Sequence, residues 1–563
     1  MSRAGPCGRY ARVALTGINV SPIWGKPGHP YRPPQAFPGF CRVTIQPLLL
    51  ILFFTFALFA CAVRARGYRR FCSAALVAFG LTACTVGPFY KKPNITPPDA
   101  WRETDTQVSG VAQTSGAAPA VANGAAPGAQ PNGAGAGPSA WPSSDWWHGF
   151  NSPQLDDLMS QAQHANDDIA AAVARIREAD AQVRIAGAPL FPSLAVTGNA
   201  TRERSRPANA ASTGGPPTTF NQFNAQLEAS YELDFWGKNL AARRSAHYAA
   251  EGSRYDRATV ELTVMTSVAV TYFQAMEAQD RLDVAQQDLS TAQEILQGLK
   301  TQLSAGVANA LDVAQQETTV AALNAAIPPL RQQFRQSVNA LAVLVGKPPQ
   351  ALEYPGGNLV ALAEPQVWPG LPSELLARRP DVAEAEAQLK AANADIQAAR
   401  AAFFPSIDLT ADGGFASTAL ATLFTPENRV FAVTGAIAQQ IFQGGAVTGR
   451  YQLTKARYTE LLAGYHKSVL SAFSDVENAL VALQQTDDQY RREQEAVTTA
   501  RRAYEMTLTQ LHAGTINVLT VLNTQTALFN AQDALVQVRF AHLQALVQLY
   551  SALGGGWRQN ATG

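Results

Sequence analysis

From Asn224 to Asp234 polar and apolar residues alternate one for one: Ala225, Leu227, Ala229, Tyr231 and Leu233 against Asn224, Gln226, Glu228, Ser230, Glu232 and Asp234. A period of two predicts a strand with one apolar and one strongly polar face. Weaker alternation runs through Leu194 and Val196, through Ile407, Leu409 and Ala411, and through Phe431, Val433, Gly435 and Ile437. Strands are therefore predicted over residues 193–205, 220–235, 406–419 and 429–442. Elsewhere the period is helical. The stretches from Asn239 to Leu303 and from Ala446 to Leu511 contain no proline, and as helices each would be about 100 Å long. Within the first, Leu282, Ala285, Leu289, Ala292, Leu296, Leu299 and Leu303 recur at alternating intervals of three and four, the spacing of a coiled-coil seam.

The pattern repeats. "LFPSLAVTG" (Leu190 to Gly198) and "FFPSIDLTA" (Phe403 to Ala411) each follow an Ala-rich helical segment, predicted over 152–188 and 373–402. Pro192 and Pro405 end the helix and bias the preceding residue toward extended geometry, so each acts as a helix-to-strand switch. The long helices stop at related turns, "LSAGVANALDV" from Leu303 and "LHAGTINVLTV" from Leu511, offset by 208 residues. Gly306 and Gly514 suit left-handed C-terminal caps, and Asn309 and Asn517 suit the N-caps of returning helices. Pro328 and Pro329 are expected to kink the first return helix, which ends near Val345 to Pro349; the second ends at Leu553 to Trp557. Residues 146–350 and 373–557 thus form two structural repeats, each a helix, two strands and a helical hairpin, joined by a linker at 351–372 and followed by a tail at 558–563.

Charge is uneven. Residues 1–83 hold 10 Lys/Arg and no Asp/Glu, leaving 34 Lys/Arg against 43 Asp/Glu in the remainder. That acidic balance excludes a nucleic-acid partner as the natural reading. All five cysteines (Cys7, Cys41, Cys61, Cys72, Cys84) fall in the first 84 residues. Ahead of Cys84 stand "RARGYRR", an apolar run from Phe71 to Ala83, and "LTAC", the parts of an export signal; the motif resembles a lipobox whose Cys84 is lipidated. Residues 1–62 read as an over-long start, with translation from Val63 giving an ordinary signal. Between 84 and 145 lie a Pro-rich strap and, at 103–140, a Gly/Ala/Pro-rich insert expected to be flexible. The insert's "GAGAG" has neither a preceding strand nor a following helix start, so it is no phosphate loop.

Catalysis finds little support. The histidines (His29, His148, His164, His247, His466, His512, His542) are scattered without metal-ligand spacing, and acidic pairs such as Asp156–Asp157 suit a solvated face. No catalytic residue, cofactor or metal is expected, and Trp146–Trp147 reads as packing. Four strands cannot span a membrane alone, because an open sheet leaves edge N–H and C=O groups unsatisfied in lipid. Three copies would supply twelve strands, enough to close a barrel with a polar interior.

"LTACTVGPFY", "DWWHGF" (Asp145 to Phe150), "LPSELLARRPDV" (Leu371 to Val382), the paired Phe-Pro-Ser switches and "LYSALGGGW" occur together and in order. In these the chain resembles the TolC-like outer-membrane efflux factors, lipoprotein (OprM/NodT-like) branch, over residues 84–557 apart from the insert. The resemblance implies a mainly α protein with a transmembrane β part: a homotrimer with a 12-stranded barrel continuing into a long periplasmic α-helical barrel. It also implies docking to a periplasmic adaptor and an inner-membrane transporter of RND type, with export of drugs or other small toxic molecules. In such channels the hairpin tips constrict the periplasmic entrance. The corresponding tip residues are Leu303, Gly306, Asn309 and Asp312 on one hairpin and Leu511, Gly514, Ile516, Asn517, Thr520 and Asn523 on the other. Asp312 stands where these channels carry an acidic residue, and equally at a position where a carboxylate steadies a helix N-terminus; both readings stay open. Ile516, Thr520 and Asn523 stand where relatives often place Asp, so a gate here relies more on packing of Leu511 and Ile516. A protein-secretion conduit and a non-conducting coiled-coil lipoprotein are the alternatives; the latter has no need of amphipathic strands.

Overall fold

The computed structural model describes residues 90–98, 100–102, 141–205, 217–367 and 369–559. Residues 1–82 and 83–563 form separate units, and the described residues belong to the second. The leader, Cys84 and the 103–140 insert lie outside the described residues.

The first repeat runs α1 (Pro153–Ala165), α2 (Asp167–Gly187), β1 (Ser193–Ser205), β2 (Thr218–Glu232), α3 (Lys238–Ser304) and α4 (Ala310–Leu344). The second runs α5 (Pro372–Leu375), α6 (Pro380–Ala401), β3 (Ser406–Ser417), β4 (Arg429–Ala438), α7 (Ala446–His512) and α8 (Val518–Ala552). Both α3 and α7 have 67 residues and both α4 and α8 have 35. The duplication thus reaches the length of each arm.

Three expectations need correction. The helix expected over 152–188 is broken at Asn166, whose extended backbone N-caps α2: its Oδ1 accepts from Asp168 N–H (2.9 Å) and Ile169 N–H (3.1 Å). Its Nδ2 donates to the Leu344 carbonyl at 2.8 Å, so one side chain ties the start of α2 to the end of α4. The helix expected over 373–402 begins in earnest only at Pro380, because Arg379 is extended ahead of a proline at the first helical position. There Arg379 pairs with Asp381 (2.6 Å) and Asp475 (2.9 Å) and donates to the Ala552 carbonyl (3.2 Å), the counterpart tie to the end of α8. Helix α4 contains Pro328 and Pro329 within its length. Strands β2, β3 and β4 end two to four residues earlier than the alternation suggested. After β2, the Asp234 carboxylate caps α3 by accepting from Asn239 N–H (3.0 Å) and Leu240 N–H (2.7 Å), which turns the chain.

The sheet is antiparallel throughout in the order β1-β2-β3-β4. The main core lies where α1, α3, α8 and the 3₁₀ helix Trp146–Phe150 meet, around Phe150, Leu155, Tyr272, Phe273 and Tyr550. Trp146 is buried there, stacked on Tyr550 with ring centroids 5.1 Å apart, so the tryptophan pair packs as expected.

Candidate functional site: an amphipathic sheet and two hairpin tips

The register decides which strand residues share a face. Leu194 pairs with Ala229, Ala229 with Ala411 and Ala411 with Val433; one step along, Val196, Leu227, Gly413 and Phe431 form a second row. These apolar rows are uncovered: Val196 is 83% exposed, Phe431 86% and Val433 78%. Leaving such side chains in water costs on the order of 1.5–3 kcal/mol each relative to burial, so this face fits hydrocarbon. The opposite face carries Thr197–Gln226, Asn199–Asn224, Glu228–Asp412 and Glu232–Asp408 as direct cross-strand pairs. Like charges directly opposite destabilise a pair, which a water-filled interior relieves; Lys238 also bridges Glu232 at 2.6 Å. No described helix is long and apolar enough to cross a membrane.

Where strand gives way to helix, aromatic side chains cluster. Trp236 donates its indole N–H to the Pro405 carbonyl (2.8 Å) and stacks on Phe404 at 4.6 Å. Phe191, Phe235 and Phe442 stand largely exposed at the same boundary, the composition of an interfacial aromatic girdle. The Pro405 switch is thereby fixed by a partner in the other repeat, whereas Pro192 is exposed.

At the far ends of α3 and α7 the chain reverses. Gly306 has φ +74° and Gly514 φ +70°, and a Cβ at either would meet nothing within 4 Å; backbone conformation alone demands glycine. Val307 N–H donates to the Gln302 carbonyl (2.9 Å), and Thr515 N–H to the Gln510 carbonyl (3.0 Å), the six-to-one bond of a Schellman cap. Asn309 Oδ1 accepts from Leu311 and Asp312 N–H groups. Asn517 Oδ1 accepts from Thr520 N–H (3.2 Å) and Thr520 Oγ1 (2.9 Å). Asp312 is half-buried and its carboxylate makes no ion pair among the described residues.

The two tips touch. Leu299 and Val313 of the first hairpin pack with Val518 and Leu522 of the second, with Leu511 against them. Leu511 and Ile516 also pack on Tyr504, Val521 and Leu528. Leu303, the last position of the predicted seam, is instead 37% exposed, and Thr520 and Asn523 are exposed.

Higher up, a charged network joins three helices: Arg281 (α3) pairs with Asp533 (α8) at 2.7 Å and Glu277 at 3.0 Å, and Gln333 (α4) donates to Glu277 at 2.8 Å. Burial pushes the Glu277 carboxyl up, with Arg281 opposing. Asp288, buried about two turns below Arg281 on α3, is pushed up to about 7 by desolvation and the nearby Asp533 charge.

The family described as outer membrane efflux protein matches residues 158–347 and 371–555, one repeat after the other. The chain belongs to the outer membrane efflux protein family. It is an outer-membrane efflux channel with the TolC-like fold. A pyoverdine export outer membrane protein, OpmQ of Pseudomonas aeruginosa, is 42% identical over 422 residues, 74% of this chain and 88% of that one. The cation efflux system protein CusC of Escherichia coli is 29% identical over 488 residues, 86% and 98% of the two chains. Among solved structures, the outer-membrane channel OprN superposes with TM-score 0.74 at 25% identity, covering 84% of this chain and all of that one. The open-state MtrE channel of Neisseria gonorrhoeae gives 0.72 at 28%.

Within this family framework, sequence reasoning placed the switches and caps but missed the residues that act between repeats. Asn166 and Arg379 splice helix ends. Glu228–Asp412 and Glu232–Asp408 become pairs only through register. Asp288, Gln316 and Gln525 are polar residues inside helices whose burial depends on a neighbour; a glutamine falling on a heptad-like core position was the available signal.

Proposed function

We propose that this chain forms, as a homotrimer, the outer-membrane conduit of a tripartite exporter of small soluble organic molecules, with siderophore-like peptides as the leading substrate class. A periplasmic adaptor and an RND-type transporter in the inner membrane complete the pathway, and lipidation at Cys84 anchors the chain. The observation that carries the reading is the four-stranded sheet: its apolar face is exposed, its other face is polar, and β1 and β4 each keep one edge unpaired among the described residues. Three copies joined edge to edge satisfy those backbone groups and turn the polar face inward. Identity of 42% to a pyoverdine export protein supports the substrate class, while the polar lumen face accepts hydrophilic cargo.

Deleting the gene and assaying culture supernatant tests this. Secreted siderophore should fall several-fold, with the molecule retained in the periplasm, and return on complementation. Unchanged siderophore secretion alongside raised susceptibility to antibiotics would replace the substrate class with drugs.

A further inference from the structure

On the apolar face of the sheet the strands carry no charge until the end remote from the helices. On β1 this face runs Leu194, Val196, Gly198 and Ala200, then Arg202 and Arg204; on β4 it runs Ile437, Gly435, Val433 and Phe431, then Arg429. Eight positions separate Leu194 from Arg202, and likewise Ile437 from Arg429. That is about 27 Å of strand, the scale of the apolar band on an outer-membrane barrel. The central strands β2 and β3 place no charge on this face; Arg202 stands opposite Asn221, Arg204 opposite Thr219 and Arg429 opposite Phe415. All three arginines are exposed and make no ion pair among the described residues. Glu203 falls on the opposite face, and Glu427, in the turn before β4, does not pair with Arg429. The β3–β4 connection adds apolar surface at the same end. Phe424, 70% exposed, packs on Phe415 with ring centroids 5.4 Å apart, and Leu420 is 64% exposed. Asn428 Nδ2 donates to the Thr422 carbonyl (2.6 Å), and the Ser417 and Thr422 hydroxyls share a hydrogen bond (2.8 Å), which pins the connection in place.

We propose that Arg202, Arg204 and Arg429 form a basic rim that binds the headgroup phosphates of the outer-leaflet glycolipid, with Phe424 and the apolar rows beneath receiving its acyl chains. The proposal rests on reading the sheet as one third of a lipid-facing barrel. With the helices in the periplasm, the strand ends remote from them meet the outer leaflet, whose glycolipid carries phosphate on its sugars. A guanidinium group offers a planar fork of donors that matches phosphate oxygens. The arginines lie only on the edge strands, and edge-to-edge joining puts β4 of one copy beside β1 of the next. Each seam of the trimer therefore gathers all three. At the helix end the same boundary closes on Phe191, Phe235 and Phe442 instead, so the two leaflets meet different chemistry.

The test measures lipid binding to the full-length protein purified in mild detergent, by native mass spectrometry, with three probes: lipid A bearing two phosphates, the same lipid with both phosphates removed, and phosphatidylglycerol. The parent should bind the phosphorylated lipid A at least tenfold more tightly than either of the others. Combining Arg202→Gln, Arg204→Gln and Arg429→Gln should abolish that preference. Should the triple variant assemble poorly, Arg429→Gln alone should lower the preference about threefold. A parent indifferent to the phosphates, or variants that keep the full preference, would overturn the rim. Phosphatidylglycerol bound as tightly as phosphorylated lipid A would overturn the assignment to the glycolipid. Planar-bilayer recordings separate this from the barrel reading: a parent that conducts yet ignores the phosphates refutes the rim alone, whereas a parent that discriminates between the lipids yet forms no pore upholds the basic surface and refutes the channel.

Discussion

At the scale of single residues, the chain uses carboxylates in opposite ways. Asp234 and Asp381 lie at helix starts, where N–H groups and the helix dipole favour the anion. Asp288 is buried against α8, 6% exposed, with Asp533 as its nearest charged influence and Arg281 already committed to Asp533 and Glu277. Its folded value of about 7 lies above the ordinary 3.8. Between those values the folded chain keeps a proton that the unfolded chain has lost, so helical stability falls as pH rises from about 4 to about 7. Asp288→Asn should flatten part of that fall and leave the protein more stable than its parent at pH 8. Asp280, raised by burial to about 6, supplies a further part with the same sign. Denaturant midpoints at pH 4, 6 and 8 check this; parallel curves for parent and variant would mean the carboxylate is solvated. None of this was legible beforehand, since "LDVAQQDLS" gives Asp283 and Asp288 no distinguishing mark. Only the packing of α8 selects one for burial.

At the scale of elements, the hairpin turns were almost wholly legible. Gly306 and Gly514, and Asn309 and Asn517, carry local conformational demands that no tertiary contact needs to enforce. Strand positions were legible for the same reason, because alternation is a local property; their ends were not, since the Asp234 cap and the Trp236–Pro405 bond are set by tertiary partners. The break at Asn166 was hidden because an asparagine within an Ala-rich run looks helical until the Leu344 carbonyl is placed beside it. At the second tip Leu511 and Ile516 pack against Tyr504, Val521 and Leu528. At the first tip, Asp312 heads α4 without an ion pair among the described residues. Three such carboxylates gathered at a pore mouth would attract cations; on that reading Asp312→Ala should lower the cation preference of single channels modestly, about twofold, with unchanged thermal stability. A fall in stability with unaltered selectivity would assign the carboxylate to capping alone.

At the scale of the whole molecule, function follows from incompleteness. Among the described residues one chain presents a sheet with an exposed apolar face, a polar face lined by Glu228, Glu232, Asp408 and Asp412, and two unpaired edges. The same chain provides helices of 67 residues, about 100 Å long, which a compact enzyme has no need of. Each repeat supplies two strands and one long helix, and threefold repetition closes them into a barrel and a tube. Channel function depends on that closure. Native mass spectrometry of the protein extracted from outer membranes in mild detergent tests it most directly: an assembly of three mature chains is predicted, and a folded single chain under those conditions would contradict it.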